Sequence, residues 1–450
     1  MNLGTNNKIQ KKGITLVIPN PCGNIKETKM KNSGIEWIGE IPDDWESIRL
    51  KYIYSTTKAK LPKQFYDDKN LTPYLSMDFI RDSINTEPVY AKDGDYCSEE
   101  DILILWDGSN AGEIVFNHPA GYAPSTTAIL KKLSTQSLPV YDKFYLKALE
   151  DDLRRNTNGM GIPHVNGSYL NNSLFLLPPK STQQRIASYL DKKCSKIEET
   201  IQNQQQVIEK LKAYKQSLIT EAVTGKVKIE NGKACGEYES YKDSGVEWIG
   251  KITSEWEVKK LKFSSQIMRG LFSHRPRNDP DYYDGVHPFI QTGEVARAVK
   301  YITTYSQTLN ELGFSVSREF PAGTVLLTIA ANVGDVAILD FNACFPDSVI
   351  GFYPKENVSK IFMFYVLKSM KEQFMRNAII STQMNLNINI VKEEFIPLPS
   401  LAEQKEIVKF LEKKSDYIDT AIEQKQNLIE KLTEYKKSLI YECVTGKKEV

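Results

Sequence analysis

The sequence predicts an α+β fold in which two globular domains alternate with two long helices, the helices pairing as an antiparallel coiled coil about an approximate two-fold axis. Three observations predict it. Much of the 450-residue chain is written twice. Each copy closes on a long segment with heptad spacing. Between the repeated blocks, short apolar runs separated by polar turns read as strands.

The repeat is unequal along its length, and that inequality marks the domains. Ser33-Gly34-Ile35-Glu36-Trp37-Ile38-Gly39 returns as Ser244-Gly245-Val246-Glu247-Trp248-Ile249-Gly250, a shift of 211 residues (248 − 37). Trp45 and Leu50 have counterparts at the same shift in Trp256 and Leu261. Residues 178–226 match 399–447 without a gap at a shift of 221 (399 − 178), so the intervening stretches differ in length by 10 (221 − 211). Those stretches are far less alike, although 101–116 and 324–339 share a strand–turn–strand pattern. Residues 161–166 and 382–387 hold equivalent places before the second block. One scaffold carrying two diverged surfaces accounts for this. Neutral drift would not spare long, exposed helices while erasing segments of core-like composition.

The pattern places globular domains at 30–177 and 242–398, helices at 178–226 and 399–450, and a linker at 227–241. Residues 1–29 fit neither copy and read as an N-terminal extension, a candidate for disorder. Met30-Lys31-Asn32-Ser33-Gly34 reads as a natural start, which makes the leader an extension of translation or an upstream tail.

The repeated second blocks are predicted helices. From Cys194 the heptad runs through Ile197, Ile201, Gln204, Ile208, Leu211, Lys215 and Leu218 to Ala222. Its copy runs from Ser415 through Ile418, Ile422, Lys425, Ile429, Leu432, Lys436 and Leu439 to Cys443. Alternating steps of three and four keep one apolar seam. Ser181 with Gln184, and Ser400 with Glu403, have capping-box spacing, and Gly225 and Gly446 are the expected left-handed stops. Each helix then spans about 42 residues, or about 60 Å. Gln204 and Lys425, like Lys215 and Lys436, put polar groups at matching seam levels, where they cost stability and fix register. A helical hairpin wedged against the globular domains, with these residues at a wet rim, is the alternative.

Composition bounds the function. With 41% hydrophobic and 26% charged residues the chain is ordinary globular material. The longest apolar runs, such as 324–333, fall well short of a membrane span, and the N-terminal residues lack the apolar core expected of a secretory signal. The 6 cysteines form no Cys-x-x-Cys pair, which points to the cytoplasm and away from zinc ribbons or a disulfide framework. A net charge of +1 predicts weak DNA binding by this chain alone. There is no Gly-x-x-x-x-Gly-Lys-(Ser/Thr) loop, no His-Glu-x-x-His motif, and no acidic or Asn residue before Pro178-Pro179. Lys226 and Lys447 follow helix stops, whereas a phosphate loop needs a helix start. The 4 histidines lack ligand spacing, and strand-flanking turns account for Asp107, Glu113, Asp335 and Asp340.

The duplicated Ser-Gly-(Ile/Val)-Glu-Trp-Ile-Gly, the proline step into Gln183-x-x-Ile186-x-x-x-Leu190, its echo at Gln404-x-x-Ile407-x-x-x-Leu411, and the closing Val-Thr-Gly-Lys together resemble the specificity subunits of type I restriction–modification systems. The resemblance spans nearly everything from Met30 to Val450. It implies that each variable stretch is a target-recognition domain of mixed α/β fold reading one half of a split double-stranded DNA site. It implies that the helices set the gap and dock two methyltransferase subunits, which bind S-adenosylmethionine and methylate adenine N6. Motor–nuclease subunits using ATP and Mg would complete the complex. No cofactor and no catalysis are expected in this chain.

Candidate DNA-reading residues follow from which side chains suit base edges and phosphates. Arg269 to Asn278, with Arg269, His274, Arg275, Arg277 and Asn278, combines cations, an amide and loop formers; Lys58, Lys60, Lys63 and Gln64 begin near the corresponding place. Ser109 with Asn110, and Asn332, sit in turns between paired strands. Asn156, Asn158, His164 and Asn166, with Gln383, Asn385 and Asn387, make amide-rich stretches ahead of the helices. Amides and cations also suit ordinary surface turns. Near-neutral charge fits equally a non-enzymatic coiled-coil scaffold with two protein-binding globular ends, and a self-contained DNA-modifying enzyme is a third reading.

Overall fold

The computed structural model describes residues 29–82, 85–159, 161–380 and 384–450. All of the N-terminal extension but Lys29 lies outside the described residues. Two compact units emerge, one made of residues up to Ile201 together with Glu430–Val450, the other of Gln202–Ile429.

The first unit is built on a four-stranded antiparallel sheet in the order Ile114–Val115, Ile102–Leu105, Thr127–Lys132, Tyr54–Lys58. All four residues of Ile102–Leu105 are buried, so this strand reads as an unbroken apolar run. Helix Pro139–Arg155 contributes Tyr141, Tyr145, Leu149 and Leu153 to the core, and Phe175 from strand Leu174–Leu177 packs edge-on to Tyr141. A second sheet of five short strands, which include Phe65–Tyr66 and Val89–Ala91, covers a smaller cluster around Leu75 and Leu103.

The second unit repeats the same order, Val336–Leu339, Val325–Thr328, Val349–Pro354, Ser265–Arg269, and adds Tyr301–Ile302 in parallel at one edge. Helix Lys360–Ser369 buries Phe362 to Leu367 among the core residues. In both units the repeated heptapeptide forms the same turn. Ser33 and Ser244 each accept a bond on the hydroxyl from the backbone two residues on, at 3.1 Å. The stretch expected as a linker carries a hairpin, Lys228–Glu230 with Lys233–Gly236, turned by Asn231-Gly232.

Each long helix has 44 residues, Lys180–Val223 and Leu401–Val444. Within the first unit Cys194 and Ile197 are buried in one cluster with Leu439 and Cys443, Ile201 and Leu432 pack at its margin, and Glu198 pairs with Lys436. Within the second, Ile208 and Ile418 are buried and Leu211, Leu218, Ile422 and Ile429 half-buried. There Gln204 lies 3.1 Å from Lys425, and Lys215 bonds Asp419 at 2.6 Å, so partner numbers fall as the first helix advances and the pairing is antiparallel. The shift of 221 carries Lys215 to Lys436 and Glu198 to position 419, so one ion pair is written twice with its partners exchanged.

The helix ends differ from expectation at one place. Ser400 caps its helix: its hydroxyl accepts from Glu403 N at 3.3 Å while Glu403 Oε2 accepts from Ser400 N at 3.1 Å. Ser181 forms no such box with Gln184, because the first helix already begins at Lys180 and Pro179 O takes the opening bonds from Thr182 and Gln183. The two helices start at equivalent positions of the repeat, and Pro179 stands where the second helix has Ser400, which leaves Ser181 inside the first turn. At the far ends Gly225 (φ 69°) and Gly446 (φ 73°) are left-handed, with Lys226 and Lys447 donating back to Glu221 and Glu442, the six-residue closure typical of such stops.

Candidate nucleic-acid interface

In the first unit, strand Ile102–Leu105 runs out into Trp106-Asp107, and the pre-helix segment lies across its end. Val165 N donates to Trp106 O at 2.8 Å and Gly108 N to Pro163 O at 3.0 Å. Asn158 and His164 exchange both backbone bonds at 2.8 Å. This lacing brings two candidates, Lys58 and His164, onto one carboxylate, with Asn158 backbone-paired to His164. Asp107 Oδ2 meets Lys58 Nζ at 2.8 Å and its Oδ1 meets His164 Nδ1 at 2.6 Å. Partial burial pushes the Asp107 carboxyl upward, but the hydrogen bonds from Lys58 and His164 outweigh it and hold the group below the usual carboxylate range. Exposed Ser109 and half-buried Asn110 occupy the adjoining turn.

The second unit assembles a different cluster at the same sheet end. Arg269, which ends its strand as Lys58 ends its own, donates Nε to the carbonyl of Asp347. Arg277 pairs with Asp347 Oδ1, and Arg275 Nη2 lies 3.5 Å from Oδ2. Arg275 also donates from Nη1 to the carbonyls of Phe272 and His274, each at 2.7 Å. Asn385 bridges Ala330 as His164 bridges Asp107, and Asn332 is exposed in the turn beyond.

Other candidates stand apart or do structural work. Lys60 and Lys63 hold Asp95 and Asp93 through their backbone N–H groups, on the second sheet's side, with Gln64 exposed beside them. Asn156 ends helix Pro139–Arg155 with its amide on Asp152 O at 2.8 Å. Asn166 and Asn387 are helix N-caps, accepting from Tyr169 N and Asn389 N. His274 stacks on Tyr282 with ring centroids 3.7 Å apart and lies 2.9 Å from Asp279, while Asn278 is exposed. Gln383 lies outside the described residues. Sequence reasoning missed Asp347 altogether and treated Asp107 as a turn residue. Of the other acidic residues flanking strands, Glu113 goes to Arg81 at 3.3 Å and Asp335 to Lys371 at 2.6 Å. Among the described residues no group of three or more His, Cys, Asp or Glu could hold a metal ion, and no helix is long and apolar enough to cross a membrane.

One scaffold used twice, with unlike polar clusters at the same sheet end, defines a duplicated recognition protein. The sequence model of a family described as "Type I restriction modification DNA specificity domain" matches residues 42–212 and 253–432, and the chain belongs to that family. It is 28% identical over 407 residues to the Type I restriction enzyme MjaVIII specificity subunit of Methanocaldococcus jannaschii, covering 84% of this chain and 88% of that protein. It is 24% identical over 423 residues to the Type I restriction enzyme EcoBI specificity subunit of Escherichia coli, covering 89% and 85%. A solved chain from a study of assembly and conformational transition of the type I R-M system shares the fold, with a TM-score of 0.65 at 14% identity, over 91% of this chain and 99% of that one.

Proposed function

We propose that the chain is the DNA-recognition subunit of a type I restriction–modification complex, each unit reading one half of a bipartite double-stranded site. One observation carries this reading: equivalent sheets end in unlike clusters of basic side chains, Lys58 and His164 around Asp107 in one unit and Arg275 and Arg277 around Asp347 in the other. A duplicated enzyme would repeat its reacting groups, whereas a duplicated reader gains a second half-site by varying them. The paired helices dock two methyltransferase subunits, which bring S-adenosylmethionine and methylate adenine N6; motor–nuclease subunits bring ATP and Mg. The chain itself is non-catalytic and works in the cytoplasm beside the DNA.

The net charge of +1 supports a division of labour in which partner subunits grip much of the phosphate backbone. Titration of duplex DNA with the chain alone and with co-purified methyltransferase, across a salt series, tests this. Binding is expected to be weak alone, tighter with the partner, and steeply salt-dependent. Absence of salt-sensitive binding in both forms would favour the scaffold with protein-binding ends. Transfer of labelled methyl groups by the chain alone would count against a non-catalytic subunit.

A further inference from the structure

We propose that Asp107 and Asp347 are positioning residues that set which base edges the two units read. Asp107 presents the His164 ring as a hydrogen-bond acceptor, and Asp347 presents Arg275 and Arg277 as paired donors. The inference deepens the DNA-reading function proposed above and rests on it.

The first unit's argument is one of hydrogen-bond chemistry. An ionised carboxylate only accepts, so the His164 Nδ1 that sits 2.6 Å from Asp107 Oδ1 must carry the hydrogen. With that hydrogen on Nδ1, a ring carrying a single proton presents the Nε2 lone pair at the opposite edge of a side chain that is 48% exposed. Nothing about this ring is left loose. Its backbone exchanges bonds with Asn158 and bridges Asp107, and Lys58 holds the second carboxylate oxygen at 2.8 Å. An acceptor fixed at the surface matches an exocyclic amino group, adenine N6 or cytosine N4, in the major groove.

The second unit offers the reverse polarity. Asp347 takes Arg277 on Oδ1 and approaches Arg275 from Oδ2, and its carbonyl anchors Arg269. Each guanidinium has five N–H donors in a fixed fork, and these bonds use only part of them. The side chains of Arg275 and Arg277 remain 52% and 44% exposed. A buttressed guanidinium fork suits guanine O6 and N7. The half-site read by this unit therefore contains guanine, and the half-site read by the other contains adenine or cytosine under His164.

Selection from a random duplex library by the full chain, purified with its partner subunits, tests the assignment. Wild type is expected to select a bipartite sequence with those bases. His164→Ala should flatten one position of one half by about tenfold or more, and Arg277→Ala a guanine of the other half by a similar factor. Asp107→Asn is the sharper probe. An amide can donate to Nδ1 and turn Nε2 into a donor, so the position lost in His164→Ala should move towards guanine or thymine. A purely structural Asp107 would lower binding with base frequencies unchanged, and that result overturns the inference. So does an unaltered site in His164→Ala and Arg277→Ala. Wild type selecting no sequence at all would sink the DNA-reading function, and this inference with it.

Discussion

Single side chains carry the repeat further than the alignment of letters does. Gln183 and Gln404 are both buried and make the same three bonds. Gln183 accepts from Leu138 N at 2.8 Å and donates to Gln136 O and Pro178 O; Gln404 accepts from Ser359 N at 2.8 Å and donates to Asn357 O and Pro399 O. Gln404→Leu removes three bonds, one of them fully buried, and should cost about 1–3 kcal/mol in urea unfolding, whereas Gln426→Leu on an exposed face should cost under about 0.5. Lys368 behaves oppositely. Burial, then the nearby Lys215, pushes its ammonium down to about 8. A lysine depressed in the folded state is held charged at a cost below that value, and stability rises as pH climbs from there to the unfolded pKa near 10.5. Lys368→Met should therefore stabilise by about 1–3 kcal/mol at neutral pH, and the gain should shrink through that window in unfolding measured against pH. The site's cations were legible in the sequence; their anchors were not. Asp347 is 70 residues from Arg277 and Asp107 is 57 from His164, and no local pattern joins such pairs. Asn166 and Asn387 attracted attention as amides, but the short polar side chain that suits a base edge also suits an N-cap.

Secondary-structure elements were the most legible level, because periodicity is a local property. The heptads predicted an apolar seam in both long helices; of the polar pairs they matched, Gln204 lies 3.1 Å from Lys425, whereas Lys215 and Lys436 pair with Asp419 and Glu198 instead. Their starts were harder, since capping-box spacing does not reveal that a proline two residues before Ser181 already holds the position ahead of the helix. The two serines should thus separate in experiment. Ser400→Ala removes a formed box and should cost about 1 kcal/mol, while Ser181→Ala should fall within a few tenths, both read from thermal unfolding. The Asn231-Gly232 hairpin was present in the letters too, as a type of turn that two-residue connections favour, but its strands are only three and four residues long.

At the scale of the whole molecule, order along the chain carried the architecture: a domain, a helix, a domain and a helix, with the pairing of the helices following from their repetition. The domain interiors did not announce themselves. Many strands have two or three residues, too few for alternation to register, and the parallel edge strand Tyr301–Ile302 has no counterpart in the first unit's four-stranded sheet. If the helices set the gap between half-sites, one heptad inserted at matching seam positions in both lengthens each by about 10 Å. The spacer in the selected DNA should then grow by about three base pairs. Library selection reads this directly, and an unchanged spacer would remove the helices from that role.

Because Leu439, Ile440, Cys443 and Val444 help fill the core of the unit that also holds Ile41 and Trp45, that unit is finished only by residues translated after the whole of the other. The other unit runs without interruption from Gln202 to Ile429. The lobes thus mature in the reverse of the order in which they are translated, and the earlier one waits with part of its interior still unmade. A message cut just after the codon for Ile429 would leave the later lobe whole and the earlier one hollow.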